Sequence, residues 1–252
     1  MPQEDELIKW YQEDYWEQYR DEQVSTARHN LYAHALEWLR ALAPHPGTLV
    51  DVGCGAGTLL ALCPQWGWKG IGFDPSNAAV AYARAKGLEA YRQAWPPCSL
   101  ADETADAVIF INVLDHLRAP FAALTEAWRV LRPGGLLYIR VPNGPVHARL
   151  ISLLSVVGLD HLAVIHLYAF GRAAFAHHLP RLGFAVIALR TAPPSQGDAY
   201  GHVRSRIAAM RRSFRRVNHL AHRLLAGLGL DRMAWGLSIE VMARKTVHDG
   251  KG

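Results

Sequence analysis

Leu49-Val50-Asp51-Val52-Gly53-Cys54-Gly55-Ala56-Gly57-Thr58-Leu59-Leu60 reads as a buried strand that runs into a glycine turn and then a helix, with a carboxylate just ahead of the glycines. A phosphate cradle at such a turn offers only backbone N–H groups and the positive end of the helix, because both attract an anion. An aspartate there repels phosphate and favours a cation such as an ammonium or a sulfonium. Gly53 and Gly55 suit backbone with positive φ or close approach of a ligand, which a Cβ hinders. Thr58 stands where a dinucleotide fingerprint has its third glycine. On its own, the turn is equally an ordinary strand-to-helix connection, and the acid in front of it is what points to a ligand.

A second carboxylate follows at the spacing of a nucleotide-binding α/β unit. Lys69-Gly70-Ile71-Gly72-Phe73-Asp74 reads as the next strand, and Asp74 lies 19 residues after Gly55, where such folds place the group that accepts both ribose hydroxyls. Pro75 and Ser76 then open a helix over Asn77 to Arg84 with Ser76 as its cap. The alternative for Asp74 is a plain helix N-cap.

Four blocks, VDVGCGAG, GFDPS, DAVIFINVLDHL and WRVLRPGGLLYIRVPN, together resemble the class I S-adenosylmethionine-dependent methyltransferases over roughly residues 47 to 143. The resemblance implies a Rossmann-like α/β fold: a doubly wound, seven-stranded, mostly parallel sheet with an antiparallel last strand, carrying a helical N-terminal cap and a lid insert. It also implies S-adenosylmethionine as cofactor, with Asp51, Gly53, Gly55 and Gly57 along its methionine side and Asp74 and Pro75 at the ribose. Asn112, after the fourth strand, joins this set. Many members carry an aspartate near the adenine after the third strand. The corresponding stretch, Ala90 to Pro96, has no acid, so adenine is expected on Ala94 or Trp95 and on backbone. The Asn-Pro-Pro-aromatic motif of the amino-methylating enzymes of DNA and glutamine is missing as well.

At 252 residues, half of them hydrophobic, the chain can bury a large core, and one methyltransferase domain over 1–252 accounts for its length. Its expected parts are a helical cap (1–45), a core (47–190 and 237–246), a lid insert (143–170) and a basic helical insert (191–236). Cys54, Cys63 and Cys98 have no metal-ligand spacing, so neither a metal site nor a disulfide is expected, and a reducing cytoplasm fits. The N-terminus is acidic and aromatic, unlike a secretory signal, and no apolar run reaches the ~20 residues that span a bilayer.

Charge is uneven along the chain. Residues Glu4 to Glu22 hold an acidic excess interleaved with aromatics, among them Tyr11, Tyr15 and Tyr19 at helical spacing. They are expected to pack the cap on the core or to reach the cofactor. Residues 202 to 223 hold Arg204, Arg206, Arg211, Arg212, Arg215, Arg216 and Arg223 and no acid. Ile207, Met210, Phe214, Val217, Ala221 and Leu224 recur there at steps of three and four, the mark of an amphipathic helix. A buried stripe under a solvated basic face, an anionic membrane surface and nucleic acid are the three readings, in that order. Peripheral association with an anionic membrane through 202–224 is thus one expectation, and nucleic acid a weaker one.

The apolar insert between the fifth strand and the helix near Arg172 points either to a lid over a greasy acceptor or to a helix packed on the core. In-line methyl transfer needs positioning and exclusion of water, and a base only if the acceptor is protonated. His116, following Asn112 and Asp115, is the first candidate base, and His166, past the insert, the second. A structural hydrogen bond is the alternative for His116, and a role in folding the lid back the alternative for His166. The expectation is methyl transfer to a small-molecule or lipid-like acceptor, at oxygen. An RNA methyltransferase and a non-catalytic cofactor-binding module that docks on a membrane or partner are the alternatives.

Overall fold

The computed structural model describes residues 28–43, 45–156, 167–194, 206–230 and 236–247, together with Trp16, Arg20 and Val24; side chains of 153–156 and 206–215 are left aside. Helix α1 (His29–Leu42) precedes β1 (Thr48–Val52), α2 (Thr58–Leu62), β2 (Lys69–Asp74), α3 (Asn77–Ala85), β3 (Ala90–Arg92) and β4 (Ala105–Ile111). After them come α4 (Pro120–Val130), β5 (Leu131–Pro142), α5 (Gly144–Val156), α6 (Arg172–Arg181), β6 (Phe184–Thr191), α7 (Arg206–Gly227) and β7 (Ser238–Lys245). The strands form one seven-stranded sheet in the order β3-β2-β1-β4-β5-β7-β6. Pairings are parallel as far as β5, and β7 is inserted antiparallel between β5 and β6.

The strands are nearly all apolar because both faces of the sheet are covered. Val50, Val52, Phe73, Val108, Phe110, Leu137 and Ile139 point into one core with α4 and α6. Their neighbours Leu49, Ala107, Ile109, Leu136 and Tyr138 point into the other, against Ala35, Leu36 and Leu39 of α1. The alternation puts Asp51 on the α1 side, in the central strand, paired in register with Gly72 of β2 and Ile109 of β4. The order of strands reverses at β1, which opens a crevice beyond the carboxyl ends of β1 and β4.

Several expectations shift at their edges. β5 begins at Leu131, whose pairing with Ala105 is followed by a register shift before the regular ladder starts at Ala107 and Leu136. The expected buried stripe of the basic helix is corrected in its second half, where Val217 is 63% and Leu224 59% exposed; the side chains of Ile207, Met210 and Phe214 lie outside the described residues. Val217 and Ala221 of that stripe, with Asn218, His222 and Leu225, line a cavity of about 270 Å³ against Thr191 at the end of β6 and Leu237 just before β7. The cysteines are free and buried. Burial pushes the thiol pKa of Cys63 up to about 12.

Candidate active site

Asp51 is buried on β1, and its carboxylate has no hydrogen-bond partner among the described residues. Burial, and then the charge of Asp74, push its pKa well above the ordinary carboxylate range. Asp74, at the end of β2, is also raised by burial, opposed by the N–H bonds it accepts. Gly55 donates to its Oδ2 at 2.9 Å and Ser76 to its Oδ1 at 2.8 Å. The cap of α3 is Ser76, whose Oγ accepts from the Ala79 N–H, so Asp74 is no ordinary N-cap. Each Asp74 oxygen takes one protein donor, which leaves acceptor capacity for the hydroxyls of a cis-diol.

The glycine turn is held by the protein itself. Gly53, Gly55 and Gly57 have φ of +73°, +50° and +73°, in the left-handed region that L side chains avoid. A Cβ on Gly53 would lie 2.4 Å from Val113 Cγ2, and one on Gly57 2.6 Å from Leu88 Cδ1. At these two positions tight packing and positive φ account for glycine without a ligand. Trp16 of the N-terminal segment is buried against Ala56 of the turn and Tyr82 of α3. Tyr11, Tyr15 and Tyr19 lie outside the described residues.

Pro75 is half-buried beside Asp74, and Ala94 is exposed beyond β3. Trp95, expected at the adenine, is corrected to a core residue: its ring packs on Phe73 and Phe110, and its Nε1–H donates to the Ala123 carbonyl at 3.0 Å. Asn112 follows β4 at φ +56°, an unusual angle for a residue with a Cβ, and its Oδ1 accepts from Arg140 Nη1 at 2.5 Å. His116 closes the 3-10 turn Leu114–His116, half-exposed, with Nε2 3.4 Å from Asp115 Oδ2. His166 lies outside the described residues.

The insert is closed at its base. Gly144 N–H donates to Phe170 O at 2.7 Å, and Tyr168 N–H to Asp115 O at 3.2 Å. A Cβ on Gly144 would be 2.4 Å from the Ala169 carbonyl carbon, so glycine is needed where the two ends meet.

A buried ionic network beside the site was missed in the sequence. Glu240 of β7, fully buried, accepts from Tyr138 Oη at 2.7 Å and Arg190 Nε at 2.8 Å, with His34 Nε2 at 3.1 Å from both its oxygens. Burial raises the Glu240 carboxyl pKa, but the His34 bond and the Arg190 charge outweigh it and hold it below its ordinary value. Arg190 also lies 3.9 Å over the Trp38 ring. The signal was available: a lone charge inside each of the apolar runs FAVIALRT and LSIEVMA, Arg190 and Glu240, marks side chains that must pair when buried.

The family model described as a methyltransferase domain matches residues 15–189. The chain belongs to this family, and its cofactor is S-adenosylmethionine. It is 32% identical over 129 residues to a ubiquinone biosynthesis O-methyltransferase of Rhizobium rhizogenes, covering 49% of each chain. It is 29% identical over 143 residues to the enzyme of that name from Pseudomonas paraeruginosa, covering 53% of this chain and 60% of that one. The chain thus spans about half the length of the curated relatives it matches. Among solved structures, the Haloferax volcanii complex of the Trm112 methyltransferase activator with a methyltransferase aligns at TM-score 0.61 and 18% identity, over 94% of this chain and 99% of that one. A Thermotoga maritima S-adenosylmethionine-dependent methyltransferase aligns at 0.57 and 16%, over 92% and 100%. At these identities the structural likeness speaks for the fold.

The residues present fit the cofactor. Two carboxylates with raised pKa values, Asp51 buried and without a donor among the described residues and Asp74 part-buried, sit at successive strand ends where a nucleoside carrying ammonium and sulfonium charges would be held.

Proposed function

We propose that this chain transfers a methyl group from S-adenosylmethionine to a small or lipid-like acceptor, at an oxygen atom. The observation that carries the reading is Asp51, a buried carboxylate with no hydrogen-bond partner among the described residues, whose cost of burial a cationic ligand would offset. The cofactor supplies an electrophilic methyl whose positive charge disperses in the transition state. The chain's own part is to bind, orient and exclude water. Asp74 takes the ribose hydroxyls, and Pro75 and Ala94 border the nucleoside. Asn112 faces the crevice from the end of β4. His116, with the Asp115 carboxylate 3.4 Å from its Nε2, is the base for an acceptor hydroxyl: a neighbouring carboxylate stabilises the imidazolium that forms. The 143–170 insert, with His166 near its end, serves as a lid. Oxygen as the acceptor atom is supported by the curated relatives, which are named O-methyltransferases of ubiquinone biosynthesis.

Calorimetric titration with S-adenosylmethionine, S-adenosylhomocysteine and NAD tests this reading. The first two bind, NAD does not, and Asp51→Asn weakens S-adenosylmethionine. Binding of NAD, or of none of the three, overturns it.

A second contact is proposed at α7. Val217, Leu220 and Leu224 are exposed at steps of three and four, and Leu228 continues the row just past the helix. They stand beside Arg216 and Arg223, in a segment with no acid between 202 and 223. Apolar residues left in water next to arginines suit an anionic lipid surface, where each nearby Arg contributes about 1 kcal/mol. No helix among the described residues is long and apolar enough to cross a membrane.

A further inference from the structure

We propose that Arg140 is the seat for an acidic group, a carboxylate, on the acceptor; this rests on the methyltransferase reading above. Arg140 lies near the carboxyl end of β5, facing Glu240 of β7 in register. It is only 6% exposed. Its Nη1 donates to Asn112 Oδ1 at 2.5 Å, and its Nη2 reaches the Pro193 carbonyl at 3.4 Å. These partners follow β4 and β6, so the guanidinium sits at the rim where ligands of open parallel sheets bind.

Glu240 does not neutralise it. Both Glu240 oxygens are taken by His34, Arg190 and Tyr138. Two guanidiniums, Arg140 and Arg190, therefore share one carboxylate, and Arg190 holds its hydrogen bond. Arg140 Nε is buried and has no hydrogen-bond partner among the described residues. Burial lowers the Arg140 pKa and the nearby charge of Arg28 adds to it, while Tyr138 and the Glu240 charge act the other way without a hydrogen bond to the guanidinium. A buried planar cation with a spare N–H and no bonded carboxylate matches a carboxylate brought by a ligand, because such pairs form charge-assisted, fork-like bonds. The nucleoside end of the crevice is furnished by Asp51 and Asp74, so the positive side of the rim is left to the acceptor. Asn112 links the two sides, since its carbonyl is held by Arg140.

The test uses the full chain loaded with S-adenosylhomocysteine and two probes of equal shape, benzoate and benzamide, followed by calorimetry and thermal unfolding. Benzoate is expected to bind and raise the unfolding midpoint, whereas benzamide does not. In Arg140→Gln the benzoate affinity falls roughly thirtyfold or more, with S-adenosylhomocysteine affinity kept. Arg140→Lys keeps the charge without the fork and is expected to retain part of the benzoate affinity, which separates recognition from misfolding. Equal binding of the two probes, no binding of benzoate, or loss of S-adenosylhomocysteine affinity in both variants overturns the proposal. Failure of the wild type to bind S-adenosylhomocysteine is the distinct result that removes the methyltransferase reading itself.

Discussion

The backbone N–H of Gly55 donates to the Asp74 carboxylate at 2.9 Å, tying the turn after β1 to the end of β2. One side chain thereby shapes the glycine turn and, under the proposed function, takes the ribose. Asp74→Ala is expected to lose about 1 to 3 kcal/mol of S-adenosylmethionine binding and also to lower stability in the absence of ligand, since the Gly55 and Ser76 donors lose their acceptor. Calorimetry on the ligand and urea unfolding of the free protein measure the two effects separately. A variant as stable as wild type shows that the turn does not depend on the carboxylate.

Asp51 and Asp74 also couple ligand binding to pH. Both folded-state pKa values are raised, so the folded protein holds these protons more tightly than the unfolded chain. The sign follows: their penalty is absent below the unfolded value of 3.8 and grows as pH rises toward and through the raised values, so the free protein loses stability in that direction. A cationic ligand favours the ionised forms. Binding of S-adenosylmethionine is therefore expected to release protons and to tighten with rising pH over the same window. Titration in buffers of different ionisation enthalpy reads the released protons directly, and zero release counts against the coupling.

Gly53 combines φ of +73° with a Cβ position 2.4 Å from Val113 Cγ2. Gly53→Ala is expected to destabilise the protein by about 2 to 4 kcal/mol, part from backbone strain and part from overpacking. Adding Val113→Ala removes the clash and leaves the strain, so the double variant recovers a portion of the loss. A cycle of four urea curves gives the partition; additive effects mean that Val113 is not the obstacle.

Removing the Glu240 charge leaves the buried Arg140 and the part-buried Arg190 without the carboxylate between them. Glu240→Gln is expected to cost about 3 to 5 kcal/mol of stability, more than any single exposed pair such as Lys69–Glu89. Chemical unfolding of Glu240→Gln beside Glu89→Gln makes the comparison.

The exposed row on α7 predicts co-sedimentation with vesicles that contain phosphatidylglycerol and little with phosphatidylcholine alone. Val217→Ser with Leu220→Ser and Leu224→Ser is expected to weaken it, as is Arg216→Glu with Arg223→Glu, and raised salt weakens it further. RNA binding that collapses with salt while vesicle binding is absent points instead to phosphates of a nucleic acid.

Much of the fold was legible because strand and turn signals were local. Lys69–Asp74 appears as β2 with the expected limits, and the helix from Asn77 has its expected Ser76 cap. The acid-glycine-acid arrangement was legible for the same reason: each part lies at the end of one strand. Trp95 was misread because nothing local distinguishes a ring turned to the core from one turned to a ligand; that is decided by Phe73, Phe110 and Ala123 across the sheet. The α7 stripe was misread because periodicity shows which residues share a face and not whether anything covers it. The Glu240 network escaped because its members come from α1, β5, β6 and β7 and meet only through register.

Gly144 bonds directly to Phe170, so the 143–170 segment leaves the scaffold and returns to it at nearly the same point. A connection whose ends adjoin can be lengthened or shortened at small entropic cost, about 0.6 kcal/mol per doubling where the chain is flexible. Under the proposed function, the part of the chain that encloses the acceptor could therefore be exchanged as a cassette while the strand ends that carry Asp51 and Asp74 stay as they are.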